Sequence, residues 1–285
     1  TCALPIFPVE APPIRDGAVL VDAEGRIAAV GPAATLAPPP TATRVDLGVA
    51  ALFPGLVNVH AHPELAAFRG LLDDLPFHEW IPMLNRVKRT AAPTPEELAD
   101  AARWSCVESL AAGITTTGAT EDSDAALTAF LEAGVRGVVC REVFGPDPAV
   151  AEESMAELRR RVAAMRARET DLVRVGISPH APYTVSDRLY ALAADYARVE
   201  ALPVAVHIAE ATVEEQLVRY GTGPFADGLR ARGIATPPRA RSSIALLERT
   251  GLLRERPLLI HAILPDAGDV RRIADHGAPV AHCPI

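Results

Sequence analysis

Two rhythms of apolar and polar positions divide the chain. Residues 17–31, "GAVLVDAEGRIAAVG", hold two short apolar runs joined at "DAEGR", which predicts a β-hairpin. "APPP" at 37–40 then breaks the pattern, and "TRVDLGVAALFPG" resumes it. Residues 1–52 therefore read as a small β-domain. From residue 53 to 285, near-continuous apolar runs alternate with longer stretches of helical spacing. The runs are "GLVNVHAH", "GITTTGAT", "RGVVCREVF", "VRVGISPH", "LPVAVHIAE", "PLLIHAI" and "APVAHCP". Continuous rather than alternating apolarity is expected of parallel strands covered on both faces.

The stretches between them carry helix signals. Thr94-Pro95-Glu96-Glu97 forms a capping box with proline at the first helical position, and the run it opens reaches Ala112 before Gly113. Ser186 is placed to cap a helix through Tyr196. Thr212 with Glu215 predicts a second capping box, and Asp266 a cap for the helix ending at Gly277. Strand and helix alternating in this way predict an α/β fold with a parallel sheet. No strand is followed by a G-x-G-x-x-G or P-loop. The fold expected is a (β/α) TIM-like barrel behind the small N-terminal β-domain.

Chemistry gathers where these strands end. The first run closes on His60 and His62, which share a face because strand side chains alternate. The third closes on Arg141 and Glu142, the fourth on His180, and the fifth carries His207 and closes on Glu210. The sixth carries His261 and the seventh His282. In a barrel all carboxyl ends lie on one face, so five histidines converge there besides His282. A catalytic zinc takes about three protein ligands and leaves a position for water. His60, His62 and His207 supply three nitrogens. Glu210 stands three residues beyond His207, where a general acid and base is needed.

Composition narrows the partners. The 285 residues are 49% hydrophobic, enough for a sizeable core, and the net charge is −8 with no basic run. Nucleic acid and anionic membranes are therefore not expected partners. No apolar stretch approaches the roughly 18 residues of a membrane span. Cysteines at 2, 106, 140 and 283 form no C-x-x-C, as expected of scattered thiols in a cytoplasmic protein. Lys88 is the single lysine.

"PGLVNVHAH", "SPHAPYTVS", "VHIAEATVEEQ", "LLIHAI" and "AHCP" together resemble the amidohydrolase superfamily, in its mononuclear deaminase and chlorohydrolase branch. S-adenosylhomocysteine and aminofutalosine deaminases belong to that branch. The resemblance runs from about residue 17 to the last residue, and "RGLLDDLPFHEW" resembles the branch's substrate loop. It implies one divalent metal on His60, His62 and His207, zinc in most members, with Fe2+ the alternative. It implies that Glu210 shuttles the proton from the attacking water to the ring nitrogen, and that His261 polarises the attacked centre or orients the water. His180 and Arg141 take substrate-binding positions, Arg141 facing a substrate carboxylate or pairing with Glu142 or Glu121. Trp80 and Phe77 are placed as a lid over a base, and Glu64 or Glu79 as a further contact.

Binuclear members carry a carbamylated lysine on the fourth barrel strand. The lone Lys88 is far from that strand, which favours one metal. The family's strand-eight aspartate lies beyond "AHCPI", so strand eight is expected to be missing and the barrel incomplete. The implied activity is hydrolytic deamination of an adenosine-like nucleoside or related N-heterocycle. A chlorohydrolase, another C–N hydrolase or an inactive metal-binding fragment would use the same residues. The expected partner is a small-molecule substrate, with a homo-oligomer as a further possibility.

Overall fold

The structure is a computed structural model and describes residues 5–283; Cys2 and the closing Pro284-Ile285 lie outside them. The chain divides into two compact units, Thr1–Leu56 and Val57–Ile285.

In the first unit β1 (Gly17–Val21) and β2 (Ile27–Pro32) pair antiparallel. Asp22 shapes their turn by accepting the Arg26 backbone N–H through its side chain at 2.7 Å. Ile6 bridges both Ile14 and Leu52, and Phe7 stacks on Phe53 with ring centroids 4.6 Å apart. Apart from the Leu52 bridge, residues 41–52 form no ladder, so the resumed apolar pattern there yields no strand. Pro38, Pro39 and Pro40 just before it supply no N–H, and most of its side chains remain exposed.

The second unit supplies β3 (Leu56–Ala61), β4 (Ile114–Glu121), β5 (Arg136–Val143), β6 (Val173–Pro179), β7 (Ala205–Ile208), β8 (Leu258–His261) and β9 (Val280–His282). Its helices are α1 (Phe77–Ala91), α2 (Pro95–Ala111), α3 (Ala125–Ala133), α4 (Ala151–Arg166), α5 (Asp187–Glu200), α6 (Thr212–Tyr220), α7 (Pro224–Arg230), α8 (Ser243–Thr250) and α9 (Ala267–His276). The strands order as β3-β4-β5-β6 and β7-β8-β9, and a parallel bridge between Ile177 and Val204 joins the two sets. The pairs β4/β5, β5/β6, β7/β8 and β8/β9 are all parallel. This is an incomplete TIM-like barrel: strands in chain order, flanked by the helices that connect them.

Register aligns the chemistry. Glu121 faces Arg141 and then Ile177 across β4, β5 and β6, and Ile208 faces His261 and then His282 across β7, β8 and β9. Gly118 lets β3 approach, because a Cβ there would stand 2.4 Å from the Val59 carbonyl oxygen. Below the strand ends, Val139, Val175, Ile177, Val206 and Leu259 pack with Phe130, Met155, Leu189 and Leu247 from the helices into one buried core.

The capping expectations divide. Thr94 accepts from the Glu97 N–H at 3.2 Å and Glu97 from the Thr94 N–H at 2.7 Å, completing that box; Asp266 and Asp269 form another. Ser186 caps α5, which runs four residues past Tyr196 to Glu200, where Ala201 turns left-handed at φ 51°. Thr212 is already the first residue of α6 and caps nothing. Glu214 instead reaches back to the N–H groups of Ala209 and Glu210, and Glu215 takes the Ser243 N–H.

Candidate metal centre

His60 lies at the end of β3 and His62 two residues on, while β7 carries His207. One ring nitrogen from each lies within 4.8 Å of the other two. His207 Nδ1 stands 3.2 Å from the His180 carbonyl oxygen, which only accepts, so the proton sits on Nδ1 and Nε2 presents its lone pair. That Nε2 faces His62 Nε2 at 3.2 Å. Two ligands about 2.0–2.1 Å from one tetrahedral ion stand about 3.3 Å apart, so the spacing suits a shared cation. Thr120 Oγ1, 3.3 Å from His62 Nδ1, can hold that ring in the same tautomer. His60 Nδ1 is buried with no hydrogen-bond partner among the described residues. A buried nitrogen without a partner is costly, and a cation removes the cost.

Electrostatics agree with neutral donors. Burial, then the neighbouring histidines, lowers His60 to about 3. Burial likewise lowers His62 to about 4 and takes His207 well below its ordinary value. A metal binds the unprotonated ring, so these shifts keep the donors ready.

Glu210 follows β7 and His261 ends β8; His261 Nε2 lies 3.2 Å from Glu210 Oε1. Burial, then the Glu214 charge, raises Glu210 to about 8, against a hydrogen bond from Tyr183 that lowers it. Burial lowers His261 to about 4. These directions hold with no cation beside the pair; a cation on the neighbouring histidines favours the Glu210 carboxylate, the form that can accept a proton.

His180 is buried beside the centre, its ring 4.9 Å from that of His207. Thr184 donates its hydroxyl to the Ala181 carbonyl and so accepts from His180 Nδ1 at 2.7 Å. His180 Nε2 is left facing Glu142 Oε1 at 4.0 Å. Glu142, His180 and His207 form a second group of close donors. It shares His207 with the first, and His207 Nδ1 is taken by a carbonyl, so the two groups compete for the same Nε2.

The remaining candidates are spread around this centre. Arg141 lies 3.6 Å from Asp124, the carboxylate within ion-pair distance, rather than pairing with Glu142 or Glu121. Glu121 is spent on the Ala126 and Leu127 N–H groups at the start of α3. Glu64 is buried, accepts from Ser123 and lies 3.4 Å from Lys88 Nζ, which also binds Asp122 at 3.0 Å. Trp80 is half-buried on α1 and joins no aromatic pair among the described residues. Phe77 instead meets Tyr183 and Phe225 edge-on, and Glu79 is exposed. Tyr183 and Glu214 were not singled out from sequence, and Glu142 entered only as a strand-end group and a partner for Arg141. Glu214 had one signal, its place four residues after Glu210 at the start of a helix.

The amidohydrolase family model matches residues 51–285. A 5-methylthioadenosine/S-adenosylhomocysteine deaminase of Nitratidesulfovibrio vulgaris is 32% identical over 95% of this chain and 58% of its own length. An aminodeoxyfutalosine deaminase of Deinococcus radiodurans is 32% identical over 82% of this chain and 57% of its own. The chain thus spans somewhat over half the length of these curated relatives. An adenosine deaminase from Xanthomonas campestris, solved with bound zinc, superposes with a TM-score of 0.76 at 27% identity, covering 98% of this chain and 61% of that one. A zinc-containing atrazine chlorohydrolase from Arthrobacter aurescens shares the fold, with a TM-score of 0.74 at 19% identity over 99% and 64% of the two chains. With a family model matched across every barrel strand, the chain belongs to the amidohydrolase family.

Proposed function

We propose that this chain forms the metal-binding barrel of a hydrolase that deaminates an adenosine-like nucleoside or a related nitrogen heterocycle. The observation that carries the reading is the convergence of three neutral ring nitrogens beside the Glu210–His261 pair. Deaminases among the relatives and the zinc in the Xanthomonas enzyme support it. His60, His62 and His207 hold one divalent cation, zinc before Fe2+. The chemistry such a cation supplies is Lewis-acid polarisation and a water acidic enough to react near neutral pH.

The chain's own residues do the rest. Glu210, as its carboxylate, accepts one proton of the attacking water and passes it to the ring nitrogen, then takes the second proton from the same oxygen and passes it to the departing amine. The water oxygen stays on the ring carbon, the carbon–nitrogen bond breaks, and ammonia leaves. His261, through Nε2, orients the Glu210 carboxyl. His180, with Nε2 not otherwise hydrogen-bonded, contacts the heterocycle. Arg141, Trp80 and Glu64 complete the substrate surround, Arg141 and Glu64 through networks they already share with Asp124 and Lys88. No helix among the described residues is long and apolar enough to cross a membrane. A cytoplasmic location and a homo-oligomer complete the proposal.

Ammonia release from adenosine, S-adenosylhomocysteine, aminofutalosine and guanine, beside chloride release from chlorotriazines, tests the reading. Ammonia from at least one purine substrate is expected. Turnover confined to the triazines overturns it.

A further inference from the structure

Glu210 sits on an unusual stretch of backbone. Ala209 adopts φ 51°, in the left-handed region that side chains other than glycine rarely enter. Across from it, His261 and Ala262 are also left-handed, at φ 75° and 45°. The two turns are stitched together. Ala262 donates its N–H to the Ile208 carbonyl at 2.9 Å, and Ile263 and Leu264 donate to the Ala209 carbonyl at 2.9 and 3.2 Å. Three left-handed non-glycine positions brought together in this way persist only where the surroundings hold them.

One group meets that need. Glu214, on the first turn of α6, is fully buried. Its Oε1 accepts the Ala209 N–H at 2.8 Å and its Oε2 the Glu210 N–H at 3.3 Å. These N–H groups stand between the end of β7 and the first residue of α6, where neither strand ladder nor helix pairs them. The helix itself has no side-chain cap, since Ala211 occupies the N-cap position. A buried carboxylate is therefore spent on two adjacent amides of one turn, and that turn aims Glu210 at His261.

We propose that Glu214 is a positioning residue: its carboxylate clamps the left-handed Ala209–Glu210 turn and so fixes Glu210 Oε1 against His261 Nε2. Glu214 touches neither substrate nor cation. It acts through the backbone of Glu210 and, by way of the Ala209 carbonyl, through the turn that carries His261. The consequence for turnover rests on the reading of Glu210 as proton carrier; the clamp itself does not.

Amide hydrogen exchange followed by fragment mass spectrometry, in the protein with and without zinc, reads the clamp directly. In Glu214→Leu the amides of Ala209 and Glu210 should exchange at least about tenfold faster, as expected of buried N–H groups that lose their acceptor. The amides of β5 and β6 should stay protected. Glu214→Gln keeps the length and one acceptor oxygen, so it should fall between the two and serve if the leucine variant folds poorly. Zinc content and KM should hold in Glu214→Gln while kcat drops about tenfold, a split that general destabilisation would not produce. Unchanged exchange at Ala209 and Glu210 in both variants overturns the clamp. Faster exchange with kcat unchanged overturns the positioning role, provided Glu210→Gln abolishes turnover. If Glu210→Gln turns over normally, the proton-carrier reading fails instead, and the exchange result alone decides the clamp.

Discussion

Glu64, Lys88, Asp122 and Ser123 form one polar cluster at the strand ends, and His60, His62 and His207 form another. Apart from Lys88, which comes from α1, both are built from residues at or just beyond the carboxyl ends of strands, and both include deeply buried side chains. The first satisfies itself. Lys88 binds both carboxylates, and Ser123 donates to Glu64. The second leaves His60 Nδ1 without a partner among the described residues and sets two Nε2 atoms 3.2 Å apart. A paired cluster needs nothing from solution, whereas buried rings with unfilled acceptors gain from a shared cation, and this spacing suits one. Burial lowers the affinity of those rings for protons, which keeps them available as donors.

The largest effect that would break this contrast lies at Glu210. Glu210→Gln leaves the three donor nitrogens in place and removes only the transferable proton. Zinc content should be retained while turnover falls by about 10²–10⁴-fold, the usual worth of positioned proton transfer. Loss of zinc in this variant would make Glu210 a ligand and enlarge the centre beyond three histidines.

Next comes pH. The folded chain holds His60 and His180 near 3 and His62 and His261 near 4, against 6.5 for the free group. Above 6.5 both states carry the same protons, so these residues leave stability unchanged. Between 6.5 and about 4 the unfolded chain binds protons that the folded chain refuses, and stability falls as pH falls. The slope is at most about 1.4 kcal/mol per pH unit for each histidine. Glu210 and Glu214, raised to about 8 and about 7, act in the opposite direction over this window, so the histidine share is read by comparison. In urea denaturation of the metal-free proteins, wild type should lose more stability from pH 7 to pH 5 than a His60→Gln, His62→Gln double variant. Zinc should stabilise the wild type at both values. An equal change in the two proteins would mean that the rings are solvated.

The self-satisfied cluster should answer differently. Lys88→Met strands Glu64, which is 2% exposed, and Asp122, which is 40% exposed at its side chain. Breaking a fully buried pair costs about 3–5 kcal/mol, and partial exposure here brings the expected loss to about 1–3 kcal/mol. Zinc affinity should barely change. Ser123→Ala removes one of two partners of Glu64 and should cost only about 1 kcal/mol. A marked fall in zinc affinity in either variant would merge the two clusters into one functional unit.

Much of this was legible in the sequence because it depended on periodicity. The hairpin, the run of parallel strands, the box at Thr94 and the cap at Asp266 follow from local pattern. The convergence of His60, His62 and His207 follows from strand ends sharing one face of a barrel. The distinction between the two clusters was not legible, since it depends on which side chains find partners. Arg141 meets Asp124 from the next turn of the fold, and Glu64 meets Ser123 and Lys88 from two other segments. Thr212 shows the same limit at short range. Its capping pattern is sound, yet the helix starts one residue early, and the Glu214 and Glu215 N–H groups that a Thr212 cap would bind go to the Ala211 carbonyl.

Metal stoichiometry tests the central claim most directly. The protein, loaded with excess zinc and dialysed, should retain one ion per chain by elemental analysis. His207→Ala should retain none, because it removes the one nitrogen that both donor groups need. Two ions per chain, or wild-type retention in His207→Ala, would contradict a single centre built on His60, His62 and His207.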